Sequence, residues 1–228
     1  MAANGQGRRG SYAKGIAKRE EILERALEVI AREGYRGASV KELAAAVGLS
    51  QAGLLHYFDS KEELFTEILR KRDEADTAHY GPIPAEPVGY EDMRDAYLRI
   101  TRHNADVPGL VQLFSRLSVD AVDPEHPAHE FFVRRGRTLR GVWADGLREQ
   151  QAAGRIDDSI DPETLGRILQ AVADGLQLQW MLEPETDMAA IIGVLFDALA
   201  PSIARDAPAD RPQLADRAPL ADRAPLAD

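Results

Sequence analysis

Along most of this chain apolar residues recur at the three- and four-residue spacing of a helix, and nowhere do they alternate as in a half-buried strand. Ile22, Leu23, Ala26, Leu27 and Ile30 share one face of a first helix, expected over Arg19 to Gly34. Leu43, Ala44 and Val47 form a second, short stripe, and Leu54 with Phe58 a third. Leu64, Phe65, Ile68 and Leu69 mark a fourth helix from Ser60 to about Ala78, ended by the three prolines of GPIPAEPVG. Further helices are expected from Glu91 to about Asp106, from Gly109 to about Ala121 and from Pro127 to about Ala153. Asp161 and Pro162 open one that reaches about Leu182, and Asp187 caps a last one reaching about Ile203. The sum is an all-α chain of about nine helices.

Helix starts are densest between Ser39 and Phe65. Ser39 is followed three residues later by Glu42, and Ser60 by Glu63, which is the spacing of a capping box. Ser50 can cap the short helix between them, and Gly48 supplies the positive φ of a tight turn. This layout is that of a helix-turn-helix. Short capped helices around a glycine turn also occur in helical proteins that bind no DNA. The second helix favours DNA, because Gln51, Gly53, His56 and Tyr57 fall off its apolar face and offer hydrogen bonds and aromatic contact to a groove or to phosphates.

From Lys18 to Leu69 the order of features resembles the DNA-binding domain of the tetracycline-repressor (TetR) family. A helix ends at Gly34 before Tyr35 and Gly37, a serine caps the next, Leu43 and Ala44 precede the Val47-Gly48 turn, and Phe58 precedes Lys61-Glu62. Where family members often carry tyrosine near the end of the reading helix, this chain has Leu55, so the resemblance implies that the tyrosine's phosphate or thymine contact is either lost or becomes apolar and that His56 and Tyr57 would take over the polar duties. The resemblance implies a DNA-contact set of Ser39, Ser50, Gln51, Gly53, His56, Tyr57 and Lys61, the last matching the family's phosphate-contacting lysine. It also implies a double-stranded operator as partner, with residues 18–65 as the helix-turn-helix domain and 66–204 as a ligand-binding and dimerisation domain.

The net charge of −10 suits a DNA binder only once it is divided. Through Arg72 there are 13 basic and 10 acidic residues, and beyond it 15 and 28, so the ends carry +3 and −13. Arg8, Arg9, Lys14, Lys18 and Arg19 sit where a flexible basic arm, expected over 1–17 and the start of the first helix, could follow a phosphate backbone. Zero cysteines exclude disulfides, thiolate metal sites and thiol catalysis. Arg8-Arg9 precedes a charged segment instead of an apolar leader, and no run approaches the length of a membrane span, so a cytoplasmic location is expected.

The last two helices are apolar around too much of their circumference for one partner. Leu165, Ile168, Leu169, Val172, Leu176, Leu178, Trp180 and Met181 spread around the first, and Ile191, Ile192, Val194, Leu195, Phe196 and Leu199 around the second. In the family this pair forms a four-helix homodimer interface, which the resemblance implies here, with a palindromic operator to match. It further implies a small-molecule effector, for whose cavity Tyr97, His103, Phe114, Leu117, Phe131, Phe132, Trp143, Asp174, Gln177, Trp180 and Met181 are the candidates. Each of these can also be plain core.

Two patterns invite a different chemistry. Asp157-Asp158-Ser159-Ile160-Asp161 spells an aspartate-rich magnesium motif, but Gly154 and Pro162 bracket it as a loop. His126 and His129, with Asp123, Glu125 and Glu130, have metal-ligand spacing, but Pro124 and Pro127 make a polar turn the better reading. No catalytic residue, metal ligand or cofactor is therefore assigned, and the alternative function is an all-helical ligand-binding module or enzyme using the same cavity. The repeated LADRAP after Leu214 places residues 205–228 in a disordered low-complexity tail.

Overall fold

The structure, a computed structural model, describes residues 5–34, 38–80, 89–154, 158–159 and 161–199, the side chains of 5–12 and 80 excepted. Tyr35 and Gly37, the proline-rich segment 81–88, Asp157 and the tail 205–228 lie outside the described residues, as do the side chains of Arg8 and Arg9. Nine helices and no strand are found among the described residues. In order they are α1 (Gly5–Glu33), α2 (Val40–Ala46), α3 (Gln51–Leu55), α4 (Lys61–Tyr80), α5 (Tyr90–Asp106), α6 (Pro108–Asp120), α7 (His129–Ala152), α8 (Pro162–Leu182) and α9 (Met188–Leu199). None of them is long and apolar enough to cross a membrane.

One expectation fails at the first helix. The arm expected to be disordered over 1–17 is helical from Gly5 onward, as the opening of α1. No proline interrupts residues 5–33, and a helix already anchored by packing lengthens at the gain of one hydrogen bond per residue fixed. Two of the arm's cations also have acidic partners within the chain: Lys18 pairs with Glu21 at 2.7 Å on the surface of α1, and Arg19 with Glu63 at 2.8 Å.

Two apolar clusters organise the molecule. The first joins Ile22, Leu23, Ala26, Val29 and Ile30 of α1 to Leu43, Ala44, Leu54 and Phe58, and then to Leu64, Phe65, Ile68 and Leu69 of α4. It does not stop there, because Leu110, Leu113 and Leu117 of α6 and Phe131 of α7 belong to the same cluster. The head thus shares its core with the body through the boundary expected at residue 65. At the tightest point Gly109, in the first turn of α6, lies against the last turn of α1. A Cβ there would stand 2.2 Å from the Ile30 carbonyl oxygen and 2.7 Å from Gly34 Cα, so only glycine fits.

The second cluster fills the body with Tyr90, Met93, Leu98, Trp143, Leu147, Leu165, Leu169, Leu176, Trp180, Ile192 and Phe196. Tyr90 is held in it by donating its hydroxyl to the Phe196 carbonyl, tying the start of α5 to α9. Burial pushes the Tyr90 phenol up to about 12 from an ordinary 10.0. Because the folded state binds this proton more tightly, the stability it contributes is whole below pH 10 and lost as pH climbs from 10 to 12. Tyr90→Phe is expected to lower the urea midpoint at pH 8, with the gap to the parent protein narrowing at pH 11.

Local signals placed the caps. Ser39 closes a complete capping box with Glu42, Asp161 accepts from the Thr164 amide at 2.9 Å, and Asp187 from the Ala190 amide at 2.9 Å. The second expected box is only half formed. Ser60 accepts from the Glu63 amide at 3.0 Å, but the Glu63 carboxylate turns to the Asp59 amide and to Arg19 instead of to Ser60. The guanidinium lying 4.2 Å over Phe58 draws it there.

Candidate functional site

α2 and α3 meet across a turn in which Gly48 has φ of +70°. Leu43, Ala44 and Leu54 are buried beneath it, which fixes the outer face of α3. On that face Ser50, Gln51, Ala52, Leu55 and His56 are exposed, and Lys61 at the start of α4 is exposed beside them. α3 is one turn shorter than its apolar spacing suggests. It ends at Leu55 with His56 as its C-cap, so Tyr57 and Phe58 lie in the bend beyond it. Arg19 pins this bend by donating to the Tyr57 carbonyl and stacking over Phe58.

The expected contact residues differ in what they have left to give. Ser39 accepts from the Glu42 amide, while its hydroxyl at 2.6 Å and its own amide at 3.0 Å both donate to the Glu42 carboxylate and hold that carboxyl below its ordinary range. The hydroxyl's only hydrogen is therefore engaged. Ser50 accepts from the Gly53 amide at 3.0 Å, which leaves its hydroxyl hydrogen for a phosphate and commits Gly53 to the cap. Tyr57 is half-buried against the head core with its ring edge-on to His56, while the His56 ring is exposed. Gln51, His56 and Lys61 join Ser50 as polar side chains on one open face, with exposed Leu55 among them. Lys61 leans over the Phe65 ring at 5.6 Å without an acidic partner among the described residues.

The cavity candidates do not converge. Phe114, Leu117 and Phe131 belong to the head cluster, where Phe114 and Phe131 each pack 5.1 Å from the Phe132 ring. Tyr97, Trp143, Trp180 and Met181 belong to the body cluster, with Tyr97 edge-on to Trp143 at 4.8 Å and to Phe196 at 5.8 Å. His103 faces Asp76 at 3.6 Å. Asp174 lies on the outer side of α8 near Arg135 and Gln170, where partial burial pushes its carboxyl up against their pull, and Gln177 is half-buried on the same helix.

Open space lies elsewhere. A groove of about 490 Å³ runs between the end of α6, the first half of α7 and Arg167 of α8, and of the cavity candidates Phe132 lines it. A smaller one of about 260 Å³ is lined by Thr101, Arg102 and Trp180. Arg137, Arg140 and Arg167, none of them a cavity candidate from the sequence, rim the larger groove. A signal existed: between Glu130 and Asp145, α7 carries four arginines and no acid. His126 and His129 close the turn into α7, His126 Nδ1 accepting from the Ala128 amide and His129 Nδ1 bonding the Ala121 carbonyl at 2.9 Å. Asp161 of the aspartate run serves as the α8 cap.

Residues 22–68 match the family described as bacterial regulatory proteins, tetR family. The transcriptional repressor AcnR of Corynebacterium diphtheriae is 30% identical over 159 residues, covering 69% of this chain and 78% of that protein. The transcriptional regulator TcmR of Streptomyces glaucescens is 23% identical over 194 residues, covering 84% and 85%. A solved TetR-family regulator from Rhodococcus sp. shares the fold with a TM-score of 0.62 at 22% identity, covering 80% of this chain and 98% of that one. The capped turn with its open α3 face, together with this likeness across head and body, makes the chain a DNA-binding transcriptional regulator that belongs to the TetR family.

Proposed function

We propose that this regulator is a homodimeric repressor that acts in the cytoplasm, without catalysis of its own, and leaves a palindromic operator when a small molecule binds its helical body. The observation that carries the dimer is an unpartnered apolar face. On α8, Ile168, Leu178 and Leu182 are exposed, and on α9 Ile191 and Val194 are exposed beside them. Patches of this kind mark protein interfaces in soluble proteins. Two copies paired through this face would present two α3 faces about a two-fold axis, as a palindrome requires. Support for ligand release is the shared core: α6 touches α1 at Gly109, so a shift of α6 moves the head.

The test is a gel shift with DNA selected from a random library by the whole chain. Binding is expected to be sequence-specific and salt-sensitive. Lys61→Ala should weaken all sequences alike and lower the salt slope by about one per protomer, since one phosphate contact is lost. Gln51→Ala and His56→Ala should change which sequences are preferred, because their side chains are exposed on the α3 face proposed to enter the groove. Loss of all binding without loss of preference in these variants would overturn the assignment of bases to α3.

A further inference from the structure

The arginine-rimmed groove gathers cations without acids. Several other arginines of α5 and α7 are matched, Arg94 by Asp197, Arg135 by Asp73 and Arg148 by Asp145 and Glu163. Arg137 and Arg167 have no acidic partner among the described residues, and no carboxylate lines the groove they share. Arg140 bonds Gln170 at 2.8 Å, a neutral partner that orients its guanidinium and leaves its charge uncompensated. Space for that bond comes from Gly136, where a Cβ would stand 2.9 Å from Arg140 Nη1. Three like charges are thus gathered on one rim in a part of the chain whose net charge is −13.

Such an arrangement lacks a counter-charge. Guanidinium groups bind carboxylate and phosphate oxygens through paired, charge-assisted hydrogen bonds. Between the arginines the lining is mixed, Phe132, Val133 and Val122 supplying apolar surface beside Ser118 and His129, and a volume of about 490 Å³ suits a small organic molecule. We propose that this groove binds an amphipathic oxyanion, its carboxylate or phosphate held by Arg137, Arg140 and Arg167 and its apolar body lying along Phe132 and Val133. The groove ends on the last turn of α6, the helix whose first turn presses on α1 at Gly109. Its further role as effector site rests on the proposed ligand-released repressor.

Calorimetric titration of the full chain with decanoate, decyl phosphate, decanol and inorganic phosphate tests this. The decyl anions should bind about ten- to hundredfold more tightly than decanol, as hydrogen bonds to charged groups predict. Decanoate against decyl phosphate tells which head group is preferred, and inorganic phosphate alone should bind more weakly than decyl phosphate. Arg137→Gln with Arg167→Gln, both exposed and therefore safe for folding, should erase the anion's advantage while leaving decanol binding as it was. Equal binding of decanol and the anions, no binding of any probe, or anion affinity unchanged in the double variant would overturn the proposal. In the gel shift the tighter anion should release DNA from the parent protein and not from the double variant. Anion binding without release overturns the effector role alone, whereas absence of any specific DNA complex before ligand is added counts against the repressor reading.

Discussion

Gly109→Ala is expected to destabilise the protein by about 1–3 kcal/mol or more, the range for forcing extra atoms into a packed contact. The added methyl would meet the Ile30 carbonyl oxygen and Gly34 Cα, both backbone atoms that cannot swing aside as a side chain could. That carbonyl also accepts from the Gly34 amide at 2.9 Å, the bond that closes the last turn of α1. Relief therefore requires either opening this turn, at a glycine held at φ of +75°, or moving α6 away from the head. Urea unfolding measures the loss, and Gly141→Ala supplies the contrast. Gly141 is also helical but has nothing within 4 Å of its Cβ position, so alanine there should stabilise by up to about 1 kcal/mol. Equal effects of the two substitutions would show that the α1–α6 contact is not close in solution. The same variant bears on regulation: parting α6 from α1 should leave DNA binding less responsive to whatever occupies the body.

Features set by neighbours in sequence were legible before the structure. Ser39, Ser50, Asp161 and Asp187 cap their helices because a side-chain oxygen reaches an amide two or three residues on, and Gly48 turns because of its own φ. The half-formed box at Ser60 shows the limit. Its glutamate is claimed by Arg19, 44 residues earlier, and no local pattern announces that competitor. The candidate cavity failed to assemble for a related reason. Aromatic residues on amphipathic helices look alike in sequence whether they line space or fill it, and here Tyr97 packs against Phe196 and Phe114 against Phe132. Apolar periodicity tells which face of a helix is buried and not what it is buried against. Arginine's role, by contrast, depends on the absence of a partner, and absence becomes visible only when α6, α7 and α8 are in place. For the DNA-contact set, the structure sharpens a choice the sequence left flat, separating the engaged Ser39 and the half-buried Tyr57 from Gln51, His56 and Lys61.

Leu178→Asp combined with Val194→Asp is expected to convert the protein to a monomer and to lower affinity for a two-half-site operator by about 10²–10⁴-fold, the advantage that linking two binding modules provides. The two side chains are 56% and 68% exposed in the single chain, so a charge there meets water and leaves the protomer's core untouched. In a dimer paired through α8 and α9 the same charges would be buried without partners, which is strongly unfavourable. Leu182, 75% exposed on α8, shows that the face is apolar over more than these two positions. Sedimentation of parent and variant at micromolar concentration reads the assembly, and circular dichroism confirms that the helices persist. Binding to a single half-site should be retained, because Gln51, His56 and Lys61 lie on the head, outside α8 and α9. A variant that stays dimeric would place the interface on another face, and a parent protein that sediments as a monomer would leave the exposed leucines and valines of α8 and α9 without the partner proposed for them. Monomer formation together with undiminished operator affinity would be a different failure: the dimer would exist, but the two heads would not be reading one palindrome.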